Sequence, residues 1–251
     1  MDLELSNQYI KSVDLKREQI PSFKEYPFCL PAIKNIDNLV FHPKVTFFIG
    51  ENGTGKSTIL ESIAAAYGFN PEGGSKNFSF STAESHSGLF NFIKLVKGVK
   101  RPKDGFFLRA ESFYNVATYI DALDREDSFG PPIKAAFGGK SLHEQSHGES
   151  FFSLFMNRLR GKGVYILDEP EAALSPSRQM SLVSRIHELV NKDSQFIIAT
   201  HSPIIMAYPD AYIYEIRDGL KRVKYEETEH YQVTRAFINN RDKMLKELML
   251  P

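Results

Sequence analysis

Gly50-Glu51-Asn52-Gly53-Thr54-Gly55-Lys56-Ser57 follows the apolar run Val45-Thr46-Phe47-Phe48-Ile49 and opens a helical pattern over 57–67. The octapeptide matches the phosphate-binding loop G-x-x-x-x-G-K-S/T, and a strand before with a helix after is the context in which that loop works. Its glycines let successive backbone N–H groups turn inward around phosphate oxygens, while the helix N-terminus adds partial positive charge. Lys56 is placed to neutralise β- and γ-phosphate oxygens and Ser57 to ligate magnesium. Gly50, Asn52, Gly53, Thr54, Gly55 and Thr58 complete the expected nucleotide contacts. A glycine-rich turn is the plainer alternative, and the full match together with its context favours ATP with Mg2+.

Two further runs, Val164-Tyr165-Ile166-Leu167 and Phe196-Ile197-Ile198-Ala199, read with the first as buried parallel strands, apolar on both faces. Between them Leu182, Val183, Ile186, Leu189 and Val190 recur at helical spacing, so strand, helix and strand form a right-handed crossover. Open α/β sheets bind ligands at the carboxyl ends of their strands. The second run ends in Asp168-Glu169, two acids that are costly to place beside a core without a task. Beside a triphosphate, Asp168 would hold magnesium through its water and Glu169 would polarise the water attacking the γ-phosphorus. The third run ends in Ala199-Thr200-His201-Ser202, which brings the His201 imidazole toward the γ-phosphate. A lone histidine is more often structural, so His201 draws its catalytic reading from that place.

Gln145-Ser146-His147-Gly148-Glu149-Ser150 precedes an apolar helix containing Phe151, Phe152, Leu154, Phe155 and Leu159. Ser146-x-x-Glu149 is a capping box in its own right. The same hydroxyl and free N–H groups can also bind a γ-phosphate, in this case that of a second molecule.

Composition sets the outer bounds. With 251 residues, 42% hydrophobic and 25% charged, the chain reads as one globular α/β domain, 1–251. Residues of about 113–160 are expected to form a small helical lid. Lys+Arg and Asp+Glu are each 31, so no overall charge draws the molecule to nucleic acid or anionic lipid. The single Cys29 excludes an intrachain disulfide, and Met1-Asp2-Leu3-Glu4 lacks the pattern of a secretory signal. With no apolar run near the roughly 20 residues of a membrane span, a cytoplasmic protein without direct membrane insertion is expected.

The order of phosphate loop, Ser146-His147-Gly148-Glu149, Asp168-Glu169 and His201 resembles the ATP-binding-cassette (ABC) ATPases, in particular the branch related to RecF and the structural-maintenance-of-chromosomes (SMC) proteins. Phe107-Leu108-Arg109-Ala110-Glu111-Ser112-Phe113-Tyr114 and Leu167-Asp168-Glu169-Pro170-Glu171-Ala172-Ala173-Leu174-Ser175-Pro176 are similar to a compact bacterial family of AAA-family ATPases. The resemblance implies a P-loop NTPase with an ABC-type core sheet and a helical lid. It implies that Ser146, Gly148 and Glu149 form a signature contacting ATP in trans, that Glu169 is the catalytic carboxylate, and that His201 is the switch histidine. The partner is then a second copy of the chain, joined head to tail by ATP, in a process related to nucleic acid or defence.

This chain departs from the family in three places. His147 replaces the first glycine of the signature, and Ala173-Leu174-Ser175 lacks the usual aspartate. No glutamine lies between Ser57 and His143, where a magnesium-contacting one is expected. Glu111, at the end of a strand, is the substitute metal ligand proposed here. Tyr26, Phe28 and Phe41 are candidates for stacking on adenine. The run Lys94, Lys97, Lys100, Arg101 and Lys103 reads as a solvated helix face, with phosphate contact as the alternative. Tyr231–Leu248 carries apolar residues at helical intervals and is expected to be one closing helix. Beside the ATP-driven dimer stand an ATP-gated scaffold for an unidentified protein partner, a transporter nucleotide-binding subunit, and a phosphotransferase that would leave Ser146 and His201 unused.

Overall fold

The structure is a computed structural model that describes residues 8–76, 87–125 and 132–250. The expectations for Met1–Glu4 and for 126–131 of the lid therefore lie outside the described residues. In chain order come β1 (Ile10–Leu15), α1 (Pro31–Lys34), β2 (Asn38–Val40), β3 (Val45–Gly50), α2 (Lys56–Tyr67), β4 (Ile93–Lys97) and β5 (Asp104–Arg109). They are followed by α3 (Phe113–Leu123), α4 (His147–Ser153), β6 (Gly163–Asp168), α5 (Pro176–Asn191), β7 (Gln195–Ala199), β8 (Tyr212–Ile216), β9 (Leu220–Val223), α6 (Glu229–Asn239) and α7 (Arg241–Leu248).

The main sheet has the order β5-β6-β7-β3-β8-β9, parallel throughout except for the closing β8/β9 hairpin. Alternate residues of its parallel strands feed two cores, as the period of two in a strand requires. Phe47, Ile49, Phe106, Leu108 and Leu167 face one side, where they pack with Ile186 of α5. Phe48, Phe107, Ile166 and Ile197 face the other, where they meet Ile59, Leu60 and Ile63 of α2. A smaller antiparallel sheet, β2-β1-β4, covers that second core.

The segment 113–160 is joined to the sheet by packing. Phe113, Ile120, Phe151, Leu154 and Phe155 are buried in the same core as Phe106 and Leu167. After α4 the chain widens into a π-helical turn, Leu154–Arg158, which keeps Leu154 and Phe155 buried.

Two expectations are corrected. The basic run is not a helix face: Lys94 and Lys97 lie on β4, paired with β1, and Lys100, Arg101 and Lys103 follow in the turn into β5. Ile93 and Leu95 pair on β1 and pack on the second core, a strand alternation that outweighs the lysines. The tail is two helices broken at Asn240, and neither buries a residue, with Val233 55% and Ile238 70% exposed. Helical spacing there reports an amphipathic face and not its burial.

Candidate nucleotide site

The phosphate loop leaves β3 between β7 and β8, at the carboxyl end of the parallel sheet. Gly50 and Gly55 have φ of 146° and 101°, in the region that favours glycine. A Cβ at Gly50 would stand 2.5 Å from the Ile216 carbonyl oxygen, so the loop can pass β8 only with glycine there. Within the loop the Thr54 hydroxyl donates to the Glu51 carbonyl (2.8 Å), and Lys56 Nζ donates to the carbonyls of Gly50 (2.7 Å) and Glu51 (2.8 Å). Burial holds the Lys56 pKa below the usual lysine value, against the opposing pull of Glu169, Asp168 and Glu171.

Ser57, the second residue of α2, donates its hydroxyl to Asp168 Oδ1 at 3.1 Å. Asp168 ends β6 and is 4% exposed. Burial pushes its pKa up to about 7, with Glu169 adding to the rise and Ser57, Arg109 and Lys56 opposing it. Glu169 takes φ 52°, a left-handed turn that costs a non-glycine residue about 1–2 kcal/mol. Its N–H still bonds the Ala199 carbonyl (3.0 Å), and its side chain is 40% exposed.

Two cavities meet at this point. One of about 350 Å³ is lined by Ser57, Glu111, Asp168 and Glu169. The other, of about 240 Å³, is lined by Tyr26, Asn52, Gly53, Lys56, Thr58 and Glu169 among others. The fold therefore collects Glu111 with the Ser57 and Asp168 donors, although its carboxylate is held outward by Arg109 (2.9 Å) and is 80% exposed. Arg109 is itself anchored by Glu61 at 3.1 Å. Of the three candidate stacking aromatics, only Tyr26 reaches the loop. Phe28 packs edge-on against Phe92, and Phe41 is 1% exposed in the core.

His201 follows β7. Its Nε2 stands 3.7 Å from Glu169 Oε1, and its backbone N–H donates to Glu171 Oε1 at 2.6 Å. On the far side its Nδ1 meets His230 Nε2 at 3.2 Å. Burial lowers the pKa of both rings, and Lys56 lowers them further.

Ser146, Gly148 and Glu149 line neither cavity. The Glu149 carboxylate accepts from the Ser146 N–H (3.0 Å) and hydroxyl (2.6 Å), and these bonds hold it below the usual carboxylate pKa. Gly148 abuts the loop after the acidic pair, where a Cβ would come 2.6 Å from the Ala173 carbonyl oxygen.

Glu171 and His230 were not singled out from the sequence. Glu171 stands two residues after Glu169 and carried a signal in that spacing. His230 lies 29 residues beyond His201, in a polar stretch with no pattern to mark it.

A phosphate loop after a central parallel strand, bonded through Ser57 to an acidic strand end, defines a P-loop nucleoside-triphosphatase fold. An AAA ATPase domain model matches residues 147–206, and an AAA domain model matches 22–127. A protein of Caldanaerobacter subterraneus subsp. tengcongensis named as an ABC transporter ATP-binding protein is 27% identical over 198 residues, covering 68% of this chain and 75% of that protein. The macrolide export ATP-binding/permease protein MacB of Hahella chejuensis is 22% identical over 75% of this chain, which spans only 30% of MacB. A solved structure named as a metal-chelate type ABC transporter, inward-facing, superposes with a TM-score of 0.50 at 15% identity, over 90% of this chain and 88% of that one. The SMC head domain from Thermotoga maritima gives a TM-score of 0.43 at 16% identity, over 86% and 98% of the two chains. By these matches the chain is similar to ATPases of the ABC/AAA type. No helix among the described residues is long and apolar enough to cross a membrane.

Proposed function

We propose that this chain binds ATP with Mg2+ and hydrolyses it, and that two copies meeting head to tail complete each site. The observation that carries the reading is the Ser57–Asp168 contact of 3.1 Å, which joins the phosphate loop to the acidic strand end. A hydroxyl and a carboxylate are the hard oxygen donors that magnesium prefers, and Glu111 at the rim of the same cavity adds a third. The ion, when bound, would neutralise charge on the β- and γ-phosphate oxygens. Lys56 and the loop amides would grip the triphosphate, while Glu169 accepts a proton from the attacking water and His201 orients it.

The trans site rests on the place of Ser146 and Gly148. Neither lines its own chain's nucleotide cavities, which supports a contact with the phosphate of another copy. Residues 113–160 would be the lid that carries this signature within one domain spanning 1–251. Binding energy from the γ-phosphate would then become a change in association. Resemblance to the chromosome and repair ATPases points the output toward nucleic acid or defence, by analogy.

The test is sizing of Glu169→Gln with and without MgATP, alongside turnover of the unmodified protein. A monomer becoming a dimer, with phosphate release by the parent chain, is expected. A protein that stays monomeric at saturating MgATP sinks the trans site, and one that binds no ATP sinks the whole reading. A second reading, a transporter nucleotide-binding subunit, is favoured by the names of the two relatives. The lack of a glutamine between Ser57 and His143 counts against it.

A further inference from the structure

The basic run has no part in the nucleotide site. It lies at the opposite end of the sheet: β5 runs from Asp104 to Arg109, a rise of about 17 Å away from the acidic pair. There Lys76, Lys97, Lys100, Arg101, Lys103 and Arg158 surround a cavity of about 780 Å³, within the usual size range of ligand pockets. Two of these cations are matched, Arg158 by Asp104 (2.8 Å) and Lys100 by Asp193 (3.2 Å). Among the described residues, Lys76, Lys97, Arg101 and Lys103 have no carboxylate within ion-pair distance. In a chain of zero formal net charge this is a strong local excess.

The cations also converge. Lys76 Nζ is 4.0 Å and Lys97 Nζ 4.9 Å from the centroid of the one Tyr67 ring. A ring face attracts each ammonium only weakly at such sites, and the two ammonium groups repel each other. Burial, then Lys97, holds the Lys76 pKa below the usual lysine value. An anion between them would relieve the repulsion. A second cavity of about 520 Å³ shares Lys103, Asp104 and Arg158 and continues the basic lining through Arg160, Lys162 and Lys192. The lining is thus longer than one phosphate group needs.

We propose that this rear cavity is a binding site for closely spaced phosphate groups, carried by a free oligophosphate or by the backbone of a single nucleic-acid strand. It stands or falls separately from ATP hydrolysis.

The experiment titrates the protein, its phosphate loop filled with MgADP, with fluorescein-labelled oligo-dT and separately with inorganic tripolyphosphate as a direct calorimetric ligand. Binding of at least one probe is expected, and the tighter one names the source. For oligo-dT, four neutralised phosphates give a log–log salt slope of about −3. Lys76→Glu/Lys97→Glu should weaken binding by about tenfold or more at moderate salt while ATP affinity stays unchanged. Should that variant fail to fold, Arg101→Glu/Lys103→Glu, on exposed turn positions, makes the same test. Binding of neither probe, binding abolished by raising MgADP, or equal affinity in a folded charge-reversal variant would overturn the site.

Discussion

The imidazoles of His201 and His230 face each other ring nitrogen to ring nitrogen at 3.2 Å, although they lie 29 positions apart in the chain. One nitrogen must donate and the other accept, so the pair requires at least one neutral ring. His230 is held by the start of α6: Thr228 caps the helix, Glu215 accepts from the Glu229 N–H (3.2 Å), and Arg217 bridges Glu215 and Glu229. In the proposed reaction His230 is therefore a positioning residue for His201. His230→Ala should lower kcat about tenfold with little change in KM for ATP, and His230→Gln should restore part of the loss. Equal turnover in all three proteins would remove His230 from the mechanism.

Both of these histidines have depressed pKa values, so the sign of their pH effect is fixed. Their stabilising contribution is present above the unfolded value of 6.5 and is lost as pH falls through the folded values. The difference in thermal stability between parent and His201→Gln/His230→Gln should shrink as pH is lowered below 6.5. A difference that is constant from pH 5 to 8 would show that the pair does not titrate.

Asp168 behaves in the opposite sense. Its folded pKa of about 7 lies above the ordinary aspartate value of 3.8, so the stability this group contributes to the nucleotide-free protein is present below 3.8 and lost as pH rises through 7. Asp168→Asn keeps an oxygen for Ser57 and removes the buried charge. At pH 8 without nucleotide it should be more stable by at least about 1 kcal/mol, a rise of about 2–4 °C in Tm. The same variant should lose magnesium-dependent turnover. A lower Tm than the parent at pH 8 would mean that the charge is already compensated by Lys56 and Arg109.

The two-faced apolar runs at Val45, Val164 and Phe196 made the centre of the sheet legible, because strands buried on both faces carry such β-branched and aromatic runs. The ends of these strands showed where chemistry gathers. The charge and tyrosines of Tyr212-Ile213-Tyr214-Glu215-Ile216 resemble an exposed segment, yet it sits beside β3 and supplies Glu215 to the His230 turn. The lysines of 94–103 masked the alternation of Ile93 and Leu95 that marks a strand. His230 was beyond reach: a contact between side chains on separate elements leaves no periodicity in either.

Tyr26 is 64% exposed and lines the cavity beside Asn52, Lys56 and Thr58, a place suited to the base of a nucleotide whose phosphates lie in the loop. Stacking of a base on an aromatic ring is worth about 1–3 kcal/mol. Tyr26→Ala should therefore weaken ATP binding by about tenfold, Tyr26→Phe should restore it, and inorganic triphosphate should bind all three alike. An unchanged ATP affinity in Tyr26→Ala would exclude stacking at this position.

Gly148 tests how the signature segment is seated. Its backbone approaches the loop after the acidic pair so closely that an added methyl group meets the Ala173 carbonyl oxygen at 2.6 Å and Arg178 Nη1 at 2.9 Å. The arginine can swing away, but the carbonyl belongs to a turn fixed by the Leu174 N–H to Glu171 carbonyl bond (2.8 Å). Gly148→Ala should thus push α4 off that loop, at a cost of about 1–3 kcal/mol. Because the loop leads back to Glu169, the displacement should also lower ATP-dependent dimer formation in a Glu169→Gln background while ATP binding to the monomer persists. A Gly148→Ala protein with parental Tm and parental dimerisation would show that the segment is free to shift, and that its contact with Ala173 does not couple the two motifs.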